Sequence, residues 1–532
     1  MAVHDWLLSA AERDNDHTDL DRRHDGTAWT VGNAARPLVH GAVYFAELLA
    51  CVRALRAGDL LLFTDWRGDP DERLAGPGTE VSRVLCEAAA RGVTVKGLVW
   101  RSHLDRFAFS GQENRHLGEE IEAAGGECLR DMRVRPGGSH HQKVVVLRHP
   151  GRPELDTAFV GGIDLCHSRN DDADHGGDPQ HQSMSASYGS RPPWHDAQLA
   201  VRGPAVGDVE ASFRERWNDP APLTRNPFYR VADALRREQE RAGRLPPQQP
   251  DPAPAGSQTI QVLRTYPARL RGYPFAPRGE RSVARGYAKS VGAARSLIYV
   301  EDQYLWSPQI VACFADALAG NPQLRFMAVI PHHPDQDGRL ALPPNLIGRL
   351  QALERLHAAG QDRVAVYGIE NHAGTPVYVH AKVCVIDDVW CSVGSDNVNR
   401  RSWTHDSEMS CAVFDEALDP REPRVLDRFG DGARVFARDL RLQLAREHLD
   451  RADGEDADLV DPVSAFEQFR ASAERLQAWR DSGSSGPRPP GRVRPYRAES
   501  LSRFTRRWSE PLYRTVFDPD GRPRGMRRRH QF

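Results

Sequence analysis

The sequence predicts a layered α/β protein made of two similar halves. The prediction rests on apolar residues at helical spacing, on short apolar runs between them, and on the return of the same order later in the chain. The helix patterns cover residues 43–57, 80–90, 283–295 and 310–319, and the strand patterns cover residues 60–63, 93–100, 297–300 and 324–330. Helices that alternate with strands are typical of an α/β fold with a largely parallel central sheet. The recurrence indicates an internal duplication.

A chain of 532 residues is long enough for two domains of ordinary size. A stretch rich in proline, glutamine, aspartate and glycine separates the halves and is the best candidate for a linker. The predicted division is an N-terminal segment (1–30), a first domain (31–240), the linker (241–257), a second domain (258–450) and a C-terminal helical or irregular segment with a basic tail (451–532).

Composition indicates a soluble globular enzyme and argues against a disordered or fibrous chain, because 40% of residues are hydrophobic and 27% are charged. The eight scattered cysteines are typical of reduced, buried thiols. Neither a secretory signal nor a membrane-spanning run is evident, so we expect a cytoplasmic protein that meets membranes only peripherally. The arginines of residues 522–529 predict a solvated, poorly ordered tail, with attraction to anionic lipid or nucleic acid as the alternative.

Two short motifs carry the chemistry. Residues 140–147 contain His141 and Lys143, and residues 379–387 contain His380 and Lys382. In a strand, residues i and i+2 face the same side, so each motif would present one imidazole and one ammonium group together. Each is followed by a glycine-containing strand pattern, at residues 159–164 and 393–397, where glycine allows a ligand or another backbone to approach closely.

The pattern HxKxxxxD followed by GSxN, present twice, resembles the phospholipase D superfamily. Further segments look like its phosphatidylcholine-type branch: Thr64-Asp65-Trp66, Trp194-His195-Asp196, residues 213–217 and residues 298–304. The resemblance covers about residues 35–415 and implies two similar layered α/β domains, a phospholipase D-like duplication with the active site at their interface.

The resemblance also implies roles for the site residues. His141 would attack phosphorus to form a phosphohistidine, and His380 would protonate the leaving alcohol and then activate water or an acceptor alcohol, although near-symmetry leaves these two roles exchangeable. The remaining catalytic candidates hold the non-bridging oxygens (Lys143, Lys382 and Asn397) or orient the imidazoles (Asp196 and Glu408). Structural support is expected from Asp387, Ser395, Gly394, Gly161 and Asp164. The scheme requires no metal ion or cofactor.

The first half departs from the pattern at three positions. Arg148 stands where the first motif should have an aspartate, and Asp156 beyond a longer turn could compensate. Gly162 and Asp164 replace the serine and asparagine of GSxN, which matches a variant of the phosphatidylcholine-type branch. Because an ionised Asp164 would repel a phosphate, we expect its side chain to point elsewhere or to be protonated.

Two other groups of residues invite a functional interpretation. The acidic stretch 169–181, which includes His175, could imitate a metal site, but its irregular spacing favours a polar, solvated loop. Five tryptophans could line a lipid groove, but packing in the core or at its rim is the more common role: Trp66, Trp100, Trp194, Trp217 and Trp306.

The function implied by the resemblance is a phosphodiesterase that hydrolyses, or transfers to an alcohol, the distal phosphodiester bond of glycerophospholipids. The expected partners are a phospholipid at a membrane or micelle surface and a water or alcohol acceptor, with no obligatory nucleic acid. The alternatives are a cardiolipin synthase-like phosphatidyltransferase, a nuclease of the same superfamily, or a silent scaffold that kept the fold. Both histidine-lysine pairs are complete, which favours an enzyme.

Overall fold

Among the described residues, a mixed sheet of 16 strands is the main element of the protein. The computed structural model describes residues 2–22, 26–102, 109–236, 239, 241–336, 338, 342–423, 432–529 and 531–532. Within these residues, no helix is both long enough and apolar enough to cross a membrane. The eight cysteines, all in the described part of the chain, are free thiols.

In the part of the chain that the structure describes, the first half has eight strands and eight helices. The strands are β1 (Thr30–Val39), β2 (Leu60–Asp65), β3 (Thr94–Trp100), β4 (Glu127–Asp131), β5 (Val144–Arg148), β6 (Thr157–Gly161), β7 (Trp194–His195) and β8 (Ala197–Arg202). The helices are α1 (Val3–Trp6), α2 (Ala10–Arg13), α3 (Asp19–Arg22), α4 (Gly41–Ala54), α5 (Val81–Ala90), α6 (Phe109–Ala123), α7 (Ala205–Trp217) and α8 (Pro227–Arg236). In the large sheet the strands follow the order β1-β8-β6-β5-β2-β3-β4.

The second half repeats this plan. Its strands are β9 (Gln258–Tyr266), β10 (Glu280–Arg281), β11 (Leu297–Glu301), β12 (Arg325–Val329), β13 (Val364–Ile369), β14 (Tyr378–Val379), β15 (Val383–Ile386), β16 (Trp390–Gly394), β17 (Glu408–Asp415) and β18 (Val493–Pro495). Its helices are α9 (Ser282–Ala293), α10 (Ala312–Gly320), α11 (Leu342–Gly360), α12 (Val435–His448), α13 (Pro462–Asp481), α14 (Arg503–Leu512) and α15 (Arg524–Arg528). The order β9-β17-β16-β15-β11-β12-β13 matches the first half strand for strand, which confirms the duplicated α/β fold.

The strands are apolar on both faces because helices cover both sides of the sheet. In β2, Leu61 and Phe63 pack into one cluster with residues of α4 and α5, while Leu62 packs into another cluster with residues of α7. In β11, Ile298 and Tyr299 divide in the same way between two clusters. Continuous burial of this kind explains why the strands appear in the sequence as unbroken apolar runs.

The prediction of a largely parallel sheet was wrong. Among the described strands of the large sheet, parallel pairing is confined to β2-β3-β4 and β11-β12-β13. The connections from β5 to β6 and from β15 to β16 contain no crossover helix, and both pairs are antiparallel. Short connections allow only antiparallel neighbours, because a parallel pair needs a crossover of a dozen or more residues.

The two halves meet at two places. One is the middle of the sheet. The other is the seam, which consists of residues 139–141 and 194–195 of the first half and residues 378–380 and 407 of the second half. Strands β1 and β9 pair antiparallel, with Thr30 opposite Ile260. At the seam, β7 and β14 form a short parallel pair. On the other side of the seam, His141 N donates to Ser407 O at 2.9 Å, and Ser407 N donates to Ser139 O at 3.0 Å. These contacts bring the segments that carry the two histidines close together.

Residues 241–257, the predicted linker, contain no helix or strand. They run along the first half, where Gly243 N donates to Glu127 Oε1 at 2.7 Å and Ala255 N donates to Gly32 O at 2.7 Å. Because the halves share one sheet, the domain boundaries stay a prediction.

The C-terminal segment packs against the second half just before the basic tail, and the tail itself includes the short helix α15. The expectation of poor order in the tail was therefore wrong, whereas the expected exposure to solvent was right for most of its arginines. Asp518 accepts a hydrogen bond from Arg400 Nε at 3.0 Å, and Gly521 N donates to Thr404 Oγ1 at 2.9 Å. Of the arginines in residues 522–529, Arg522 is buried and the other four are exposed: Arg524, Arg527, Arg528 and Arg529. Composition cannot reveal that a terminal aspartate pairs with an arginine more than a hundred residues away.

Arg148 and Asp387 occupy matching positions at the ends of β5 and β15 but stabilise their halves differently. Asp387 accepts hydrogen bonds from three successive backbone N–H groups at the start of β11, at 2.6 to 2.8 Å. Arg148 is buried instead between two carboxylates, with Nε 3.1 Å from Glu210 and Nη1 3.3 Å from Asp156. It also donates to Pro250 O at 2.5 Å, which ties the linker to the sheet.

We expect Arg148→Met to lower the free energy of unfolding by about 3–5 kcal/mol, because it removes the buried cation between Asp156 and Glu210 and leaves Glu210 paired with Arg214 alone. Urea denaturation followed by circular dichroism measures this change. The control is Arg202→Met, which removes an exposed arginine at the end of β8 and should change stability by less than about 0.5 kcal/mol. Equal effects of the two substitutions would contradict the structural role of Arg148.

Candidate active site

The two histidine-lysine pairs lie at the seam, immediately before strands β5 and β15. Each strand begins one residue after the lysine, so the prediction that the pairs lie within regular strands was wrong. The reason is that the backbone beside each histidine bonds across the seam rather than within its own sheet. His141 N donates to Ser407 O at 2.9 Å, and His380 N donates to His195 O at 2.7 Å.

Each imidazole is held by a carboxylate from the opposite half. His141 Nδ1 lies 2.9 Å from Glu408 Oε2, and His380 Nδ1 lies 2.7 Å from Asp196 Oδ2. Glu408 is the first residue of β17, and Asp196 lies between β7 and β8. A carboxylate at Nδ1 binds the N–H group there and directs the Nε2 lone pair toward a substrate. Neither half alone contains a histidine together with its acid.

The residue after the first glycine of each motif, Ser395 or Gly162, is adapted to the acid beside it. Ser395 Oγ donates to Glu408 Oε2 at 2.6 Å and so helps to hold the longer side chain. At the matching position, a Cβ atom on Gly162 would lie 2.2 Å from Asp196 Oδ1. Glycine is therefore required there because the Asp196 carboxylate occupies the space of a side chain.

Gly161 and Gly394 allow strands to pack closely. A Cβ atom on Gly161 would lie 2.6 Å from Ala197 O, and one on Gly394 would lie 2.1 Å from the Cβ of Ser410. The sequence left two reasons open for glycine at these positions, the close approach of a ligand or of another backbone. The structure shows the approach of another backbone.

The second pair is deeply buried, and burial controls its charge. Burial and the Lys382 ammonium group outweigh the Asp196 carboxylate and lower the pKa of His380 to about 3, so this imidazole is neutral at pH 7. Burial also lowers the pKa of Lys382 to about 8. Burial alone would raise the pKa of Asp196, but His380, Lys382 and the N–H group of Ala197 lower it to about 2. The acid is therefore ionised.

The two lysines face the same region as the two histidines. Lys143 Nζ donates to His141 O at 3.0 Å and lies 3.3 Å from Asp164 Oδ1. Lys382 Nζ donates to His380 O and lies 3.5 Å from the side-chain oxygen of Gln303. Asn397 lines the same cleft. Two ammonium groups and an amide beside two imidazoles form a site suited to a phosphate anion.

The expectation that Asp164 points elsewhere or is protonated was wrong. Its carboxylate lines the cleft and lies 3.3 Å from Lys143 Nζ and 3.6 Å from Arg169 Nη2. Burial opposes ionisation, but Lys143, Arg169 and a hydrogen bond from Asp65 outweigh it and lower the pKa of Asp164. Burial and Asp164 together raise the pKa of Asp65, so Asp65 is the carboxyl group that keeps the proton. Two cations thus offset the charge of Asp164.

The pairs open into a cleft of about 580 Å3 whose walls are strongly aromatic. The aromatic rings that line it are Trp66, Trp100, Trp194, Tyr304, Trp306, Tyr378 and Phe517. Trp66 stacks on Trp100 with ring centroids 5.7 Å apart, and Trp194 lies against His380 at 5.0 Å. The general expectation of core or rim packing holds for Trp217, which is buried in α7, but the other four tryptophans line the cleft.

Sequence reasoning missed several residues of this region. The loop 169–181 is solvated only in part, because Asp172 and Asp174 are exposed as expected but Asp171, His175 and Asp178 are buried. Arg169 places its guanidinium group 4.0 Å from the ring centroid of Trp194, at the edge of the cleft. Gln303 had a signal, since it lies in the segment 298–304 that resembled the family, whereas nothing in the spacing of the acidic loop pointed to Arg169.

The geometry supports phosphodiester chemistry. An imidazole whose Nδ1–H group is bound to a carboxylate can attack phosphorus through Nε2 or exchange a proton there. The lysines and Asn397 can offset the negative charge of the phosphoryl oxygens. Because both histidines open into one cleft, one of them can attack while the other serves the leaving group.

Two family patterns match the chain, one in each half. The pattern described as phospholipase D covers residues 71–264, which contain His141 and Lys143. The pattern described as cardiolipin synthase, phospholipase D-like domain, covers residues 339–421, which contain His380, Lys382 and Asn397.

Curated relatives are phospholipases D of low identity. Phospholipase D1 of Saccharomyces cerevisiae is 26% identical over 543 residues, covering 84% of this chain and 31% of the relative. Phospholipase D alpha 1 of Cynara cardunculus is 25% identical over 465 residues, covering 65% of this chain and 56% of the relative. Human phospholipase D1 is 28% identical over 318 residues, covering 52% of this chain and 28% of the relative. The chain thus spans about a third of the length of the yeast relative and somewhat more than half of the length of the Cynara cardunculus relative.

A solved structure shares the fold. Phosphatidylserine synthase from Haemophilus influenzae Rd KW20 superimposes with a TM-score of 0.51 and 14% identity, covering 75% of this chain and 87% of that protein. This likeness concerns the fold alone. The two family patterns, together with the curated relatives, show that the chain belongs to the phospholipase D superfamily.

Proposed function

We propose that the protein cleaves the distal phosphodiester bond of glycerophospholipids through a phosphohistidine intermediate and passes the phosphatidyl group to water or to an alcohol. One observation carries the proposal. Two imidazoles open into one cleft, and each is held at Nδ1 by a carboxylate from the opposite half.

In the first step, His141 Nε2 attacks phosphorus and the bond from phosphorus to the headgroup oxygen breaks. His380 donates a proton to that oxygen, so the headgroup leaves as an alcohol. His380 is neutral in the free protein, but the negative charge of a bound phosphate raises its pKa and favours the protonated form that this step needs. The opposite assignment of the two histidines is chemically balanced as well, and the second experiment below separates them.

In the second step, neutral His380 takes a proton from water or an acceptor alcohol, whose oxygen then attacks phosphorus. The bond from phosphorus to His141 breaks, and the free imidazole returns. With water the product is phosphatidic acid, and with an alcohol it is a new phosphodiester. Throughout, Lys143, Lys382 and Asn397 hold the phosphoryl oxygens.

The mouth of the cleft supports a lipid as substrate. Trp66, Trp100 and Phe517 give it apolar walls, and Val516 at its edge is 54% exposed. Apolar side chains at the entrance can contact acyl chains while the lysines bind the headgroup phosphate. The contact with a membrane would then be peripheral. The free cysteines favour a reducing compartment, so we propose a cytoplasmic location as well.

Phosphatidyl transfer of the cardiolipin synthase kind is the second candidate. The family pattern matched by residues 339–421 favours it, because its description names that activity. The two candidates share the first step and differ only in the acceptor, so product analysis distinguishes them.

Wild-type protein should release choline from phosphatidylcholine in mixed micelles, and His141→Ala and His380→Ala should each reduce the rate at least about a thousandfold. The control, His116→Ala, removes an exposed imidazole on α6 and should leave the rate unchanged. Supplying phosphatidylglycerol as acceptor shows whether transfer competes with hydrolysis. Cleavage of DNA or a generic diester without activity on any phospholipid would refute the lipid assignment, and no cleavage of any diester would refute the enzyme itself.

The two histidine roles can be separated with a phosphodiester whose leaving group is p-nitrophenol, which departs without a proton. His380→Ala should then give a burst of p-nitrophenolate stoichiometric with the enzyme, followed by slow turnover, while His141→Ala should give none. Stopped-flow absorbance measures the burst, and mass spectrometry of the quenched protein locates the phosphate. A burst confined to His141→Ala would reverse the assignment.

Contact with a lipid surface can be tested at the edge of the cleft. Val516→Asp should raise the lipid concentration needed for half-maximal rate, because it places a charge where acyl chains would lie, without changing the rate on the soluble p-nitrophenyl substrate. The matched control is Val43→Asp on α4, which is 46% exposed. If Val516→Asp and Val43→Asp change the lipid concentration needed for half-maximal rate to the same extent, the proposed membrane contact is wrong.

A further inference from the structure

Behind the candidate active site lies a second cluster of polar groups, made of His40, His175, His195 and Glu447. His40 Nε2 lies 2.8 Å from Glu447 Oε2, and His175 Nε2 lies 3.0 Å from Glu447 Oε1. His195 Nδ1 lies 3.2 Å from the same Oε1. One nitrogen from each imidazole and one carboxylate oxygen all lie within 4.8 Å of one another. The three imidazoles are buried, and Glu447 is nearly so.

In two of these imidazoles, the outer nitrogen, which is the one that points away from Glu447, lies against an acceptor. That acceptor defines where a proton must lie. His175 Nδ1 donates to Trp194 O at 3.1 Å, and a carbonyl oxygen can only accept. His195 Nε2 lies 2.7 Å from the Glu301 carboxylate, which also accepts from His448 at 2.7 Å. A carbonyl or carboxylate at the outer nitrogen is the usual second layer around histidine ligands of a metal ion, because it turns the inner lone pair toward the ion.

The Nε2 atom of His175 then meets Glu447 in an unfavourable way unless a cation lies between them. With Nδ1 protonated, a neutral His175 directs its Nε2 lone pair at Glu447 Oε1, so two acceptors face each other at 3.0 Å. His195 shows no such mismatch, because its two nitrogens lie 3.2 Å and 2.7 Å from the Glu447 and Glu301 carboxylates and a doubly protonated ring can donate to both. Donor atoms at tetrahedral positions around a zinc ion lie about 3.3 Å apart, given Zn–N and Zn–O distances of about 2.0–2.2 Å. The separations of 3.0 and 3.2 Å from Glu447 Oε1 to His175 Nε2 and His195 Nδ1 are close to that value.

The backbone supports the same interpretation. His40 and His175 adopt φ values of +75° and +53°, a region that costs a residue other than glycine about 1 kcal/mol or more. Neither residue lies within a helix or strand, since His40 precedes α4 and His175 lies in the loop 169–181. Two strained residues that aim imidazoles at one carboxylate indicate that the cluster is built for a ligand.

We propose that His40 Nε2, His175 Nε2, His195 Nδ1 and Glu447 bind one divalent transition-metal ion, and that Zn2+ fits the site best. Three imidazole nitrogens and one carboxylate oxygen are ligands that Zn2+ favours, and four protein ligands with no open position are typical of a structural rather than a catalytic zinc site.

The position of the site gives the ion a structural task. Glu447 lies on α12 of the second half, while the three histidines come from the first half. His195 precedes Asp196 in the chain, and His40 N donates to Asp196 O at 2.9 Å. A bound ion would therefore join the two halves directly behind the acid that holds His380. This proposal does not depend on the proposed function.

The test begins with metal analysis of the full-length wild-type protein, expressed in medium containing zinc and purified without chelator. We expect about one zinc ion per chain by inductively coupled plasma mass spectrometry, and X-ray absorption should give four nitrogen or oxygen ligands at about 2.0–2.2 Å, with the outer-shell scattering of imidazole rings. Replacement by Co2+ should give the intense visible bands of a tetrahedral site. Removal of the ion should lower the midpoint of thermal unfolding, and added Zn2+ should restore it.

His175→Ala and the nearly isosteric Glu447→Gln should each lose at least nine tenths of the bound zinc. Two controls separate loss of a ligand from general damage. His149→Ala removes a buried imidazole that pairs with Asp156, and His116→Ala removes an exposed one, and both should keep the ion. The wild-type measurements do not depend on whether any variant folds.

Two outcomes would overturn the proposal. The first is wild-type protein without stoichiometric metal that also fails to bind Zn2+ in competition with a chromophoric chelator, since the cluster would then be a network of protonated histidines between carboxylates. The second is a bound ion that His175→Ala and Glu447→Gln retain as fully as the controls do, since the ion would then lie elsewhere.

Discussion

The exchange of acids between the halves is the interaction on which the site depends. His141 needs Glu408 from the second half, and His380 needs Asp196 from the first. Correct orientation of both imidazoles therefore requires the halves to be aligned to within a few tenths of an ångström, because a hydrogen bond weakens steeply with distance and angle. The β1-β9 pair, the β7-β14 pair and the bond from His141 N to Ser407 O provide that alignment.

Within this symmetric arrangement the two half-sites differ in ways that compensate locally. The longer Glu408 is braced by the Ser395 hydroxyl group, whereas the shorter Asp196 occupies the space left by Gly162. Asn397 is neutral, whereas its counterpart Asp164 is charged and is offset by Lys143 and Arg169. The charge that distinguishes Asp164 from Asn397 is thus offset by cations within the first half-site.

The residues at the ends of β5 and β15, which support the two histidine-lysine pairs, also differ between the halves and are also matched to their neighbours. Asp387 binds three backbone N–H groups at the start of the neighbouring strand, while Arg148 binds two carboxylates and the linker carbonyl of Pro250. Reversal of charge at this position is tolerated because the surroundings changed with it: Glu210 on α7 and Asp156 in the turn supply the partners that an arginine needs. A departure from a motif is therefore informative only together with its neighbours.

The sequence by itself determined the fold class, the duplication and the identity of the two histidine-lysine pairs, because apolar periodicity and short motifs are local properties of the chain. It also singled out Asp196 and Glu408. Tertiary structure alone decided that these acids cross between the halves, that β5 and β15 run antiparallel to their neighbours, and that Asp164 is ionised while Asp65 keeps the proton. It alone brought His40, His175 and His195 to Glu447, which follows them by more than 250 positions. The physical reason is that hydrogen bonds, burial and pKa depend on distances in space, and residues far apart in the chain leave no periodic signal of their meeting.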